Sequence, residues 1–299
     1  MYPGGKDGKL HHTLGRVPGH YGNDGSDTRK DRPKVSWGIT APPKDERSFV
    51  ILLYHHVAPP ARVPAAGERI RDEGWCFTHS PAAFEGQLAE LRRRHYSFIS
   101  LGQLLDEIHA RGREHPGSAV VTFDDGWRDN CEFALPILRR LGIPATFFVT
   151  TAHLRPGGQE PKRMGLPELK HLVQAGFTIG AHSRSHPDLA RISPEAAREE
   201  IAGSKADLES ALGIAVDFFA YPGGAFNATV ARLTQEAGYR AACSVLGPRT
   251  NDRRSLFWLF RDLLTPGMNT LGDRYRLSRF ARRLFAFRVN RRLMKKLMS

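Results

Sequence analysis

A short apolar run that stops at two acids constrains the fold of this chain more than any other feature. Residues 120–123 read Val-Val-Thr-Phe, and Asp124, Asp125 and Gly126 follow them directly. An apolar, β-branched run of this length predicts a buried strand, and its abrupt end places two adjacent carboxylates at the C-terminal tip. Asp-Asp-Gly is also a common turn sequence, so the pair taken alone is equally consistent with a capping turn.

A second strand-like run ends in a pair of histidines. Residues 177–181 read Phe-Thr-Ile-Gly-Ala, and His182 and His186 follow them, four residues apart. Imidazole and carboxylate groups together suit a divalent metal such as zinc, with the neighbouring carboxylate left free as a base. The four groups therefore predict metal-assisted hydrolysis, although two surface histidines would give the same spacing.

Strands and helices alternate along the chain from residue 48 onwards. Strands are predicted at 48–54, 119–123, 145–149, 177–181, 217–220, 240–245 and 256–260, and helices after Ser80-Pro81 and at 101–108, 131–141, 166–175, 193–212 and 227–237. Repeated strand–helix units predict a parallel sheet. This many units in about 220 residues favour an α/β fold closed into a (β/α) barrel over an open sheet.

The polar candidates share one position, which is the end of a predicted strand. They are His55, Asp124, Asp125, His182, Tyr221 and Arg261. The C-terminal strand ends form the active-site face of a barrel, so these distant residues are expected to meet at one mouth. Arg261 is expected to hydrogen-bond Asp124 there and keep it ionised. Because side chains alternate along a strand, only one of His55 and His56 can face the site.

The remaining histidines of the central region are predicted to be solvated. They lie in predicted helices or loops and are His79, His95, His109, His115, His153 and His171. The three cysteines, Cys76, Cys131 and Cys243, are far apart and form no Cys-x-x-Cys pair. They therefore predict neither a disulfide framework nor a cysteine metal site.

The strong positive charge of the chain belongs to its C-terminal tail. The net charge is +13, and residues 274–299 hold ten Lys or Arg and no acid, which leaves about +3 for the rest. Apolar residues recur there at helical spacing, namely Leu277, Phe280, Leu284 and Phe287. A basic amphipathic helix predicts contact with an anionic membrane surface, and the alternative is a helix packed across the barrel bottom. Nucleic acid is not expected as a partner, because no binding module accompanies the tail.

The N-terminal segment carries no folding signal. Residues 1–47 are polar, rich in Gly, Pro and Lys, and without periodicity, so they are predicted to be disordered or extended. They lack the apolar core of a signal peptide, and no apolar run approaches the length of a membrane span. We therefore expect a cytoplasmic protein, peripheral at the inner face of the membrane if its tail binds there.

The same residues resemble the polysaccharide deacetylases, the group of carbohydrate esterases (family 4) that shares the NodB homology domain. Residues 122–126, Thr-Phe-Asp-Asp-Gly, look like the first family motif, and His182-Ser183-x-x-His186 looks like the second. Residues 219–222, Phe-Ala-Tyr-Pro, resemble the third motif of the branch that deacetylates exopolysaccharides such as poly-β-1,6-N-acetylglucosamine. Tyr54-His55 and residues 135–148 also look like that branch. The likeness spans roughly residues 48–262.

The resemblance implies a fold and a metal site. The fold is a distorted (β/α) barrel of the polysaccharide deacetylase type over residues 48–272, followed by the basic tail at 273–299. The metal ligands are Asp125, His182 and His186. The metal is usually zinc in this family, and nickel or cobalt is accepted by related enzymes.

The resemblance also implies catalytic roles. Asp124 is the general base, the backbone amide near Tyr221 helps to stabilise the oxyanion, and His55 is the general acid. The chain departs from the family pattern in two places. It has no histidine after His186, so the late Leu-x-His motif is missing and the acid has to come from the first strand. It also has Gly223 where the branch usually has an aromatic residue.

These features together predict a metal-dependent hydrolase that removes N-acetyl groups from a polysaccharide or lipid-linked glycan. Metal-activated water, an Asp base and a His acid would perform the reaction. One alternative is hydrolysis of a non-sugar amide C–N bond, since the residues of such a site act on the C–N bond and do not recognise the sugar ring. Another is a catalytically inactive barrel that binds glycans or associates with membranes.

Overall fold

The computed structural model describes residues 49–62, 77–154, 161–247 and 251–264. The predicted N-terminal segment (1–47), the predicted C-terminal tail (273–299) and Cys76 lie outside these residues. No helix within the described ranges is long and apolar enough to span a membrane.

The described residues form strands, α-helices and short helical turns in alternation. The strands are β1 Val50–Tyr54, β2 His56–Val57, β3 Thr78–His79, β4 Ser97–Phe98, β5 Ser118–Phe123, β6 Ala145–Val149, β7 Thr178–Ala181, β8 Phe218–Ala220, β9 Ala241–Ser244, β10 Leu259–Phe260 and β11 Asp262–Leu263. The α-helices are α1 Pro81–Arg93, α2 Leu101–Arg111, α3 Leu135–Leu141, α4 Leu166–Gln174, α5 Pro194–Leu212 and α6 Ala228–Glu236. A π-helical turn covers Asn130–Ala134, and 3-10 turns cover Pro60–Arg62, Ala152–Leu154 and Pro222–Gly224.

The main sheet is parallel and its two ends meet. Its strand order is β10-β9-β8-β7-β6-β5-β1-β11, with β4 paired to the start of β5. Strands β10 and β11 are separated only by Arg261; β10 pairs with β9, and β11 pairs with β1. The short segment Leu259–Leu263 thus pairs with β9 at one edge of the sheet and with β1 at the other. The predicted distorted (β/α) barrel is confirmed.

Helix boundaries follow from capping residues in the sequence. The Ser80 side chain accepts a hydrogen bond from the Ala83 N–H at the start of α1, and Ser193 does the same for α5. A proline occupies the first turn of both helices, where its missing N–H costs nothing. Helix α5 ends at Gly213, whose φ of 67° is the left-handed conformation that glycine adopts without strain.

The strands are buried on both faces, as a parallel sheet requires. All six residues of β5 and all five of β1 and β6 are buried. Alternate residues enter two apolar clusters: Ile51 and Val120 join one, and Leu52 and Val121 join the other. Side chains of α2 belong to the same cluster as Ile51 and Val120, whereas the other helices cover the second cluster.

One local prediction needs a refinement, and another was wrong. The predicted helix at 131–141 begins as a π-helical turn, in which the Leu135 N–H donates to the Asn130 carbonyl. Pro136 has no N–H and its ring crowds the preceding turn, which favours the wider turn there. His79, predicted to be solvated, is 1% exposed in β3 and contacts Gln87 Nε2 and the Leu264 carbonyl. Burial lowers the pKa of His79 to about 4.

Candidate metal centre and active site

Three side chains from the C-terminal ends of β5 and β7 converge on one point. Asp125 Oδ1 lies 3.5 Å from His182 Nε2 and 3.4 Å from His186 Nε2, and all three atoms lie within 4.8 Å of one another. The His182 Nδ1 atom is 2.8 Å from the Ala220 carbonyl, which can only accept, so Nδ1 carries the proton and Nε2 presents a lone pair. Asp125 Oδ1 is buried and receives no hydrogen bond from the described residues.

This arrangement fits a metal ion. Buried acceptor atoms that face one another without a donor are costly unless a cation lies between them. With metal–ligand bonds of about 2.0–2.1 Å, neighbouring ligands of a tetrahedral zinc ion are about 3.3–3.4 Å apart. The distances from Asp125 Oδ1 to the two Nε2 atoms match that edge. Burial lowers the pKa of His182 to about 4, although Asp124 opposes the shift, so its imidazole is neutral at pH 7 as a ligand requires.

Two of the three candidate metal ligands lie in strained backbone. Asp125 and His186 have φ of 74° and 64°, and Ser183 between the two histidines has φ of 62°. Non-glycine residues in this region cost about 1–3 kcal/mol each, and they persist where their surroundings hold them. Trp127 Nε1 holds Asp125 by donating to Oδ2 at 3.1 Å, and Arg163 donates to the Asp125 carbonyl. His186 N donates to Ser183 Oγ at 3.0 Å.

The cage, formed by Asp125, His182 and His186, is most exposed to solvent at His186 among the described residues. The Asp125 and His182 side chains are 8% and 2% exposed, whereas that of His186 is 29% exposed. The group is therefore accessible to a small molecule at His186. Within the described residues, this is where a fourth ligand position would face solvent.

Asp124 is a carboxylate held in its ionised form. Arg261 donates from Nη1 to Oδ1 at 2.7 Å and from Nη2 to Oδ2 at 2.6 Å, and both side chains are almost fully buried. Burial by itself raises the pKa of Asp124, but the charge and hydrogen bonds of Arg261 and the nearby His182 lower it, and the lowering dominates. Asp124 Oδ2 is 3.8 Å from His182 Nε2, so the carboxylate lies beside the cage without joining it.

The structure separates the two histidines after β1. His55 is close enough to Asp125 and Asp124 for both to act on its pKa, and its ring stacks on Phe77. The His56 side chain is buried elsewhere, with Nδ1 2.5 Å from Asp129 Oδ2. Burial lowers the pKa of His55 more than the two carboxylates raise it. The imidazole facing the site is therefore neutral at pH 7 in this structure.

Tyr221 does not fit the role predicted for it. Its backbone N–H donates to the Cys243 carbonyl at 3.1 Å in continuation of the β8–β9 ladder, so it is not available to an oxyanion. Its side chain is fully buried, and its hydroxyl donates to the Phe257 carbonyl at 2.8 Å. Because Pro222 has no N–H, the next backbone donor is that of Gly223, which is exposed and has φ of 58°.

Sequence reasoning missed several residues that hold the site. Trp127 and Arg163 contact Asp125, and Arg163 stacks over the Trp127 ring at 3.5 Å from its centroid. Trp127 could have been found from its position two residues after Asp125. Arg163 follows no strand and carries no motif, so nothing in the sequence singled it out. The contacts between helix α5 and the histidine loop, which is the segment from His182 to His186, were missed as well. Gly203 in the middle of α5 was a visible signal that another group packs closely against this helix.

Comparison with known proteins identifies the family that this barrel and this site resemble. Residues 111–242 match the family model for polysaccharide deacetylases. The resemblance predicted from the sequence is thereby confirmed for these residues.

Individual relatives extend this finding. A chitooligosaccharide deacetylase of Rhizobium leguminosarum bv. trifolii is 31% identical over 131 residues, which are 43% of this chain and 57% of the relative. A peptidoglycan-N-acetylglucosamine deacetylase of Bacillus cereus is 30% identical over 117 residues, 38% of each chain. The matched region covers less than two thirds of these curated relatives, namely 57% of the first and 38% of the second.

Solved structures cover more of the barrel. The deacetylase PplD of Streptococcus pyogenes, solved with acetate, has a TM-score of 0.64 and 25% identity over 74% of this chain and 93% of that chain. IcaB of Ammonifex degensii has a TM-score of 0.63, 24% identity and the same coverage, and it shows the shared fold.

Proposed function

We propose that this chain is a metal-dependent hydrolase that removes N-acetyl groups from a glycan. The observation that carries the proposal is the cage of Asp125, His182 and His186 with the ionised Asp124 beside it. A divalent ion held there would supply Lewis acidity, which polarises a carbonyl and makes water a stronger acid. The relatives named as chitooligosaccharide and peptidoglycan-N-acetylglucosamine deacetylases support an N-acetylated glycan as substrate.

The roles of the surrounding residues follow from their contacts. Asp124 keeps lone pairs beyond those bonded to Arg261, and it is the candidate base that takes a proton from the attacking water. His55 is the candidate acid for the departing amine nitrogen. Because its imidazole is neutral before reaction, it would have to gain its proton during the catalytic cycle. The Gly223 N–H replaces that of Tyr221 as the candidate donor to the oxyanion.

Gly223 also bears on the glycan that the site accepts. It is the exposed residue of the turn after β8, and the branch resembled by the sequence usually has an aromatic side chain at this position. The absence of that side chain leaves the rim of the site wider on this side. N-Acetylglucosamine oligomers of different linkage and length are therefore the substrates to compare.

The direct test combines metal analysis with acetate release. We expect the purified protein to bind about one divalent metal ion per chain, and to release acetate from at least one N-acetylglucosamine oligomer. His182→Ala is expected to lose both properties, because the cage loses its most buried ligand. His109→Ala, at an exposed position of α2, is the matched control and is expected to keep both. Acetate release by His182→Ala at the rate of the unmodified protein would refute the proposed mechanism.

A further inference from the structure

The loop that carries the two histidines is held from outside the barrel by helix α5. Glu200 Oε2 accepts hydrogen bonds from the backbone N–H of Arg184 at 2.8 Å and of Ser185 at 2.9 Å. Its other oxygen, Oε1, accepts from Ser185 Oγ at 2.6 Å. One carboxylate therefore fixes two consecutive residues that lie between His182 and His186.

A second carboxylate of α5 holds the same loop through a side chain. Asp207 accepts from Arg184 Nε at 2.9 Å and Nη2 at 3.1 Å, and it also accepts from Thr151 Oγ1 at 2.7 Å. The Arg184 and Asp207 side chains are only 17% and 21% exposed. The guanidinium lies directly on Gly203, where an added Cβ would be 2.1 Å from Arg184 Cζ. The glycine in this helix thus makes room for the ion pair.

The loop needs such support, because its backbone is strained. Ser183 and His186 both adopt left-handed φ values, which non-glycine residues leave unless their contacts hold them. The hydrogen bond from His186 N to Ser183 Oγ lies within the loop and does not fix it to the barrel. Glu200 and Asp207 supply hydrogen bonds from a neighbouring element.

We propose that Glu200 and Asp207 are positioning residues that hold the loop in the conformation in which His182 and His186 face Asp125. This inference rests on the proposed function, since it presumes that the three residues bind a metal. Neither carboxylate belongs to the group that could hold the ion. Metal affinity then depends on two residues on the far side of the loop, and it depends on hydrogen-bond geometry more than on their charge.

The test measures Zn²⁺ and Co²⁺ affinity by competition with a chromophoric chelator, together with the visible absorption of bound Co²⁺. Glu200→Ala is expected to bind both ions about 10-fold more weakly, which is the size of effect seen when the partners of metal ligands are removed. Glu200→Gln keeps an oxygen for the two N–H groups, so it is expected to stay within about threefold of the unmodified protein. Glu195→Ala, at an exposed position in the first turn of α5, is the matched control and should change nothing.

Further variants separate the possible failures. Asp207→Ala is expected to weaken binding several-fold and serves as the test if Glu200→Ala does not fold. Unchanged affinity in folded Glu200→Ala or Asp207→Ala would overturn the inference, and so would a Glu200→Gln variant as weak as Glu200→Ala. His182→Ala is measured beside them: if it binds Zn²⁺ as the unmodified protein does, the metal site of the proposed function fails, whatever Glu200 and Asp207 do.

Discussion

Arg261 neutralises a buried carboxylate, and its removal should have a large and pH-dependent effect on stability. The Arg261 and Asp124 side chains are 1% and 4% exposed and share two hydrogen bonds of 2.6–2.7 Å. Removing one partner of a buried pair costs about 3–5 kcal/mol, because the other charge stays buried without compensation. We therefore expect Arg261→Met to lower the free energy of unfolding by about 3–5 kcal/mol at pH 8.

The sign of the pH dependence follows from the pKa of Asp124. In the unmodified protein this pKa lies below its ordinary value of 3.8, so the stabilisation is present above that pH and is lost as the pH falls. Without Arg261, burial dominates and raises the pKa of Asp124. The carboxyl group can then protonate at mildly acidic pH, and the cost of Arg261→Met should be smaller at pH 5 than at pH 8.

The assay is urea unfolding of metal-free protein in EDTA at pH 5 and pH 8, followed by circular dichroism. Asp124→Asn combined with Arg261→Met should recover most of the loss, because no charge is left unpaired. Arg261→Lys keeps the charge but loses the two-bond geometry, so its free energy of unfolding should lie between those of Arg261→Met and the unmodified protein. A loss below about 1 kcal/mol at pH 8 for Arg261→Met, or no recovery in the double variant, would refute the reasoning.

Three further predictions concern stability and use the same unfolding assay. Burial raises the pKa of Glu114 to about 7, so the free energy of unfolding should fall as the pH rises from 4.5 to 7. Glu114→Gln should raise the free energy of unfolding by about 1–2 kcal/mol over the unmodified protein at pH 8 but not at pH 4. Equal gains at both pH values would contradict this. His79 has a pKa lowered to about 4, so its contribution to the free energy of unfolding is complete above pH 6.5 and is lost as the pH falls through 4. In His79→Gln the free energy of unfolding should therefore fall by up to about 3 kcal/mol less between pH 6.5 and pH 4 than in the unmodified protein. An equal fall in both proteins would count against this prediction. A Gly→Ala change in a helix usually raises the free energy of unfolding by about 1 kcal/mol, but Gly203→Ala should not, because its methyl group displaces Arg184. Gly102→Ala in α2 has room for its methyl group and is the control. Equal gains in both variants would contradict this.

The sequence was sufficient to predict the barrel and the residues at its mouth. Strands of a parallel sheet are buried on both faces, so each appears as a continuous apolar run, and its C-terminal end appears as the first polar residue. That rule located Asp125, His182 and His186, which the structure brings together, and Arg261, which contacts Asp124. Helix limits were predictable because Ser-Pro and glycine caps act locally, within one turn.

Other features depend on partners that no periodicity records. The Tyr221 amide could not be excluded as an oxyanion donor from sequence, because its acceptor, the Cys243 carbonyl, belongs to the next strand. The burial of His79 depends on Gln87 and Leu264, the latter 185 residues away. The contacts of Glu200 with the histidine loop could not be predicted from the sequence either, because they join two separate elements. Apolar periodicity tells which face of an element is buried, and it does not tell which polar groups meet there.

The five residues from 259 to 263 both complete the sheet and supply the cation that faces Asp124. Until they are in place, β9 and β1 each present an open edge, and Asp124 has no cation to balance it. A chain stopped before residue 259 would therefore expose the edges of two strands and leave Asp124 without its ion pair to Arg261. The ionised state of the proposed base therefore depends on closure of the barrel, and a molecule whose sheet is still open would lack it.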